Sequence, residues 1–169
     1  LITINVDKQV QGSLAKSWDI SPDFKTWTFY LQEGVQFHKG YGEMTAEDVI
    51  WSYKDGWAGN PLHARTPDFI ACWRPRGGKV TAVDKYTVEV NTGIALPELV
   101  VLENWLAKTP SGSSNWVASK RQSDEIGMEA ANRDIAGTGP WEMVEHRDNE
   151  FWRMNAVEGH WRQTPAFAE

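Results

Sequence analysis

The sequence contains one cysteine in 169 residues. Cys72 therefore has no partner for an internal disulfide, and no cysteine cluster is available for zinc or an iron–sulfur centre. Scarcity of cysteine leaves the compartment open, because exported proteins also lack it. No run approaches the roughly 18 apolar residues that a membrane-spanning helix needs. No positively charged start followed by an apolar block marks a signal peptide. The first residue is Leu rather than Met, which reads as a processed terminus or as a piece of a longer chain. Lys and Arg number 17 against 23 Asp and Glu, giving a net charge of −6. The nearest approach to a basic block is Lys120-Arg121. This balance argues against nucleic acid as a partner, since such binding rests on Lys and Arg contacts to phosphate.

Catalytic patterns are missing as well. His38, His63, His146 and His160 stand in no close ligand spacing, so no metal site is expected. His38, beside Lys39-Gly40, reads as a corner residue bonded to backbone rather than as a base. No Gly-x-Ser-x-Gly elbow marks a nucleophile. Cys72 lies among apolar neighbours in "IACWRP" and reads as a buried, inert thiol. Glu47 and Asp48 are adjacent, so on a helix they point apart and cannot work as a carboxylate pair. Gly137-Thr138-Gly139-Pro140 begins like a dinucleotide fingerprint, but proline replaces its continuation and a strand follows where a helix is needed. Arg74-Pro75-Arg76 before Gly77-Gly78 reads as a turn into the next strand rather than an anion grip. No catalytic residue and no cofactor are expected, which favours binding over chemistry.

Ten tryptophans are present. Trp packs well in cores and stacks on sugars, rings and cations, so some of the ten serve the core or line a ligand cleft. Trp27, Phe29 and Leu31 alternate with Thr28, Tyr30 and Gln32, the period of a half-buried strand. Thr45-Ala46-Glu47-Asp48 reads as a capped helix start with its acids in the first turn. Ala46, Val49, Ile50, Tyr53 and Trp57 would share that helix's apolar face. Thr3–Val6 predicts a short strand. Leu14, Ala15 and Trp18 have helical spacing, predicting a single turn or an irregular packed segment. Phe69–Trp73 predicts a short helix. Lys79–Thr92 predicts two strands joined at Asp84-Lys85. Pro97–Lys108 predicts a helix opened by proline, and Trp116–Asn132 one or two short helices. Glu142–Glu145 and Glu150–Met154 predict a hairpin turning at Arg147-Asp148-Asn149. Interspersed strands and helices give an α+β class, a mixed α/β lobe.

The stretch "LAKSWDISPDFKTWTFYLQEGVQFHKGYGEMTAEDVIWSY" resembles the extracytoplasmic solute-binding proteins of the peptide/nickel/opine class, family 5 of the binding proteins of ABC importers. The resemblance is carried by Leu14, Ala15, Ser17 and Trp18; Asp23; Thr28, Phe29 and Leu31; Gly34, Val35, Phe37, His38 and Gly40; and Thr45, Ala46, Asp48 and Val49. Downstream, "GTGPWEMVEH" from Gly137 and "HWRQTP" from His160 resemble two later segments of the family. Lys39 stands where an acid is more usual, Trp141 where Tyr is commoner, and "KGYGE" carries an extra residue. These departures bear on the geometry of the corner.

The resemblance implies part of a two-lobed fold of the periplasmic-binding-protein type II kind. Residues 1–169 would be a single partial lobe, with the second lobe absent from this chain. It implies a substrate-binding component that captures a peptide-like or other small solute in an inter-lobe cleft and delivers it to a membrane permease. The solute classes it implies are peptides, oligosaccharides, opines and metal chelates, and the location is periplasmic or extracytoplasmic. Asn104, Trp105, Trp57 and Trp73 are the expected ligand contacts. Gly137, Thr138, Gly139 and Pro140 are expected near the crossing between lobes, their glycines supplying backbone freedom. A lobe alone would expose apolar surface and self-associate. The rival readings are a Trp-rich carbohydrate-active enzyme fragment, which needs two facing carboxylates, a ligand-sensing regulatory domain of the same fold, and a structural or chaperone-like use of the lobe.

Overall fold

A computed structural model describes residues 1–4, 7, 9–53, 77–96 and 116–167. The chain divides into two compact units. The first comprises Leu1–Glu33 and Thr45–Val117, the second Gly34–Met44 and Ala118–Glu169.

The first unit is built on antiparallel pairing. Strands β1 (Ile2–Ile4) and β2 (Val10–Gly12) form a two-stranded sheet. Gly12 is needed there, because a Cβ at that position would stand 2.5 Å from the Ala15 carbonyl oxygen. Strands β3 (Ala15–Ile20), β4 (Thr26–Leu31), β5 (Lys79–Asp84) and β6 (Thr87–Asn91) form a four-stranded sheet in the order β3-β4-β6-β5.

Strand β4 shows the alternation its sequence predicts. Trp27, Phe29 and Leu31 are fully buried, while Thr26, Thr28 and Tyr30 are half-buried. Residues directly opposite share a face. Trp27 faces Val90 and Phe29 faces Val88, both fully buried, and Val80 faces Val90 in turn. One face of the sheet is therefore a continuous aromatic and β-branched layer.

Strand β3 corrects the helical reading of Leu14–Trp18. Ala15 pairs with Leu31 and Trp18 with Phe29, with a bulge between Ala15 and Ser17. Three residues of β3 thus span two of β4. The extra residue in the bulge puts Ala15 and Trp18 on one face at the spacing of a helix turn.

The turn from β3 to β4 is held by Ser21. Its hydroxyl donates to Asp23 at 2.6 Å and accepts from the Thr26 N–H at 2.9 Å. The turn from β5 to β6 falls at Lys85-Tyr86, one residue beyond the expected pair. The Tyr86 N–H donates to the Asp84 carboxylate at 2.8 Å and holds that carboxyl below its ordinary range.

Helix α1 (Ala46–Trp51) starts at Thr45 as the sequence predicts. The Asp48 carboxylate accepts from the Thr45 N–H at 2.9 Å and from its hydroxyl at 3.1 Å, the reciprocal half of a capping box. Ala46, Val49 and Tyr53 are buried and Ile50 is half-buried. The helix packs against β5 and β6, and the Ala46 N–H donates to the Lys85 carbonyl at 2.8 Å. Burial pushes the Tyr53 phenol well above its ordinary value.

The second unit opens with a narrow loop, Gly34–Met44. Phe37 N–H donates to Gly42 O, and Met44 N–H to Val35 O, each at 2.8 Å. Val35, Phe37 and Met44 are buried. A 3₁₀ turn, His38–Gly40, makes the corner, with Lys39 at φ 59°. A non-glycine residue is uncommon there, and the Lys39 ammonium is paired with Asp134.

Two short helices follow, α2 (Lys120–Ile126) and α3 (Met128–Arg133). Ser119 caps the first by accepting from the Gln122 N–H at 3.1 Å. Buried Gln122 donates to the Asp134 carbonyl at 2.5 Å and accepts from the Ala136 N–H at 3.0 Å. One amide side chain thereby fixes the path of the chain after α3.

The unit ends in a hairpin of β7 (Trp141–Arg147) and β8 (Phe151–Ala156). Asn149 takes φ 61° at the turn, as asparagine tolerates. The second arm begins at Phe151 rather than Glu150.

The expected helices at Phe69–Trp73 and Pro97–Lys108 lie outside the described residues. Among the described residues no helix is long and apolar enough to cross a membrane.

Candidate functional site

Of the residues expected near the ligand, Asn104, Trp105, Trp57 and Trp73 lie outside the described residues. The four expected at the lobe crossing, Gly137 to Pro140, are described, and they bring together residues distant in sequence.

Each of the four loop carbonyls meets a donor from within the second unit. The His38 backbone N–H donates to Gly137 O at 2.9 Å. The His38 ring, through Nε2, donates to Gly139 O at 2.8 Å. Thr138 O accepts from His160 Nε2 at 3.0 Å and from Trp161 Nε1 at 2.9 Å. The Val157 N–H donates to Pro140 O at 3.0 Å.

Local structure explains how the donors arrive. The 3₁₀ turn after Phe37 aims both the backbone and the ring of His38 at the loop; its side chain is buried, with 8% of the residue exposed. His160 and Trp161 follow Gly159, which turns the chain at φ 62° just after β8. Their rings lie tilted at 46° with centroids 5.3 Å apart, which lets two ring N–H groups reach one carbonyl.

Gly137 and Gly139 do not have the left-handed φ found at Gly40 and Gly42. A Cβ on Gly137 would rest 3.7 Å from the His38 ring, an ordinary contact, and one on Gly139 would meet nothing within 4 Å. Neither glycine is dictated by positive φ or by crowding.

The reading of His38 as a corner residue bonded to backbone agrees with this geometry. His160 and Trp161 were not singled out as site residues; the signal available was their place in "HWRQTP", a family-like segment without an element of its own. The arrangement offers N–H donors to uncharged carbonyls. It holds backbone in place. Among the described residues, no three His, Cys, Asp or Glu side chains lie close enough to hold a metal ion.

The β7–β8 hairpin beside this loop has two unlike faces. Trp141, Met143, His146, Trp152, Met154 and Ala156 share one. On it, His146 and Trp152 stack with ring centroids 3.6 Å apart. The other face carries Glu145 between Arg147 at 3.1 Å and Arg153 at 3.4 Å, with Arg147 over the Phe151 ring. Trp152 is 57% exposed and Met154 40%.

The sequence pattern of the family described as Bacterial extracellular solute-binding proteins, family 5 Middle, matches residues 9–169. The Dipeptide-binding protein of Escherichia coli K12 is 27% identical over 172 residues, covering 93% of this chain and 31% of that protein. A dipeptide binding protein from Pseudoalteromonas sp. SM9913, solved in complex with Met-Leu, is 26% identical at a TM-score of 0.73, covering 99% of this chain and 35% of its own. MoaA from A. tumefaciens R10, solved in complex with mannopinic acid, is 25% identical at a TM-score of 0.78, covering 99% of this chain and 32% of its own. This chain thus spans about a third of the length of such relatives.

Proposed function

The chain belongs to the bacterial extracellular solute-binding proteins of family 5, and on that premise we propose that it forms part of the substrate-capture component of an ABC importer. The observation that carries this reading is a family match running from residue 9 to residue 169. The relatives named above bind a dipeptide or mannopinic acid. A peptide-like or other small polar solute is the corresponding ligand here, with oligosaccharides, opines and metal chelates as the wider set. It is held in a cleft between this lobe and a second, where apolar walls and a few polar groups fix its orientation. Hinge closure around it precedes delivery to a membrane permease. The setting is periplasmic or extracytoplasmic. Asn104, Trp105, Trp57 and Trp73 are the proposed contacts, and the Gly137–Pro140 loop supports the crossing between lobes.

The test is the thermal stability of the full-length protein that carries this chain, against dipeptides, oligosaccharides, opines and metal chelates. A ligand at 100 times its dissociation constant adds about 2.7 kcal/mol. A clear rise with one class establishes capture and names the class. A folded protein that responds to none of them overturns the reading.

The apolar hairpin face supports a second proposal, that the isolated chain self-associates through it. Exposed contiguous apolar surface favours burial against a partner, and a two-stranded sheet leaves edges open to pairing. Sedimentation of the 169-residue chain should show mass rising with concentration, and Trp152→Lys should abolish the rise. A wild-type chain that stays monomeric through the millimolar range would sink this proposal.

A further inference from the structure

The geometry around the Gly137–Pro140 loop fixes the protonation state of one of its clamps. A carbonyl oxygen only accepts, so His160 Nε2, at 3.0 Å from Thr138 O, carries a hydrogen. The other ring nitrogen, Nδ1, faces two donors: the backbone N–H of Arg162 at 3.3 Å and of Gln163 at 3.2 Å. It must therefore present its lone pair. Both nitrogens are assigned, and the ring is neutral with its hydrogen on Nε2.

A second proton has one place to go. It would enter at Nδ1, against two N–H groups that already point there. Two contacts depend on that lone pair, the Arg162 and Gln163 backbone donors, while the Nε2–H bond to Thr138 O does not need it.

His38 is different. Its Nε2 also donates to a carbonyl, Gly139 O at 2.8 Å. Among the described residues no backbone N–H donates to its Nδ1, which instead lies near Gly137. A proton added there leaves the bond to Gly139 in place.

The charged surroundings do not offset a charge on His160. Its loop partners, Gly137 to Pro140, carry none. On its own segment, Glu158 and Arg162 are exposed. On the side of His38, Lys39 and Asp134 are paired with each other. Trp161, tilted beside the ring, is neutral.

We propose that His160 is a pH-sensitive positioning residue: its neutral imidazole ties the Thr138 carbonyl to the Arg162-Gln163 backbone, and its protonation breaks the tie at Nδ1 and frees the Arg162-Gln163 segment. The inference stands on hydrogen-bond directions and does not depend on which solute is captured.

Nuclear magnetic resonance on the 169-residue chain tests this directly. Long-range nitrogen–proton correlations at about pH 7.5 should show the Nε2–H form for His160. Exchange protection of the Arg162 and Gln163 amides, corrected for intrinsic rates, should fall roughly tenfold as that ring protonates on acidification to about pH 5. The fall should track the His160 ring signal and not those of His38 or His146. His160→Gln keeps a donor at the Nε2 position without a titrating group. In it, the fall in Arg162 and Gln163 amide protection on acidification should disappear. An Nδ1–H form at neutral pH, protection that does not follow the His160 signal, or an unchanged pH response in His160→Gln would each overturn the proposal. Should His160→Gln fail to fold, the wild-type ring form and the match of the two transitions still decide it.

Discussion

Phe29→Ala is expected to cost about 3–5 kcal/mol of stability. The ring is fully buried at the centre of β4, facing Val88 on one neighbour and Trp18 on the other. Removing it deletes apolar contact on both sides and leaves a void that a sheet cannot close, because the ladder hydrogen bonds fix the strand spacing. A domain's total stability is typically ~5–15 kcal/mol, so this one change takes a large share of it. Phe29→Leu, which keeps most of the volume, should cost under about 1.5 kcal/mol if the layer repacks. Urea unfolding followed by tryptophan fluorescence measures both. A loss below about 1 kcal/mol for the alanine variant would mean that the β4 face is not the tightly packed layer described above.

His38→Ala should cost about 2–4 kcal/mol, from a lost buried ring and an acceptor left without its donor. The backbone bond from residue 38 to Gly137 O survives the change, so the loss isolates the side chain. What disappears is the 2.8 Å bond to Gly139 O and the ring that packs beside Gly137. His38→Gln should restore part of the loss, since its terminal amide N–H reaches where Nε2 stood. The same unfolding experiment applies, read together with amide exchange at Trp141 and Val157. A null effect of the alanine variant would show that the corner is held by backbone bonds alone. An equal loss in the glutamine variant would show that ring packing matters and the hydrogen bond does not.

Local patterns were legible where one residue type does one local job. Alternation along Trp27, Phe29 and Leu31 reports a sheet face directly, because side chains alternate with period 2. Thr45 and Asp48 report a helix start because their partners lie within one turn. Asn149 reports a hairpin turn because few residues accept its φ. Strand β3 was misread for an equally physical reason. A bulge adds one residue, and the added residue converts strand spacing into helix spacing over a single step. Nothing within Leu14–Trp18 itself distinguishes the two; the Leu31 and Phe29 partners do.

The family, the strand of Trp27–Leu31, the capped helix at Ala46 and the hairpin after Trp141 were determined by the sequence alone, since each rests on contacts within a few residues or on a long ordered pattern. The clamp on Gly137–Pro140 was decided by tertiary structure. Its donors come from His38, about a hundred positions earlier, and from His160 and Trp161, more than twenty later. A carbonyl in need of a donor is present at every residue, so sequence marks neither which carbonyl is served nor which side chain serves it. Only the folded chain, by bringing those rings to within 3.0 Å of particular oxygens, makes that choice.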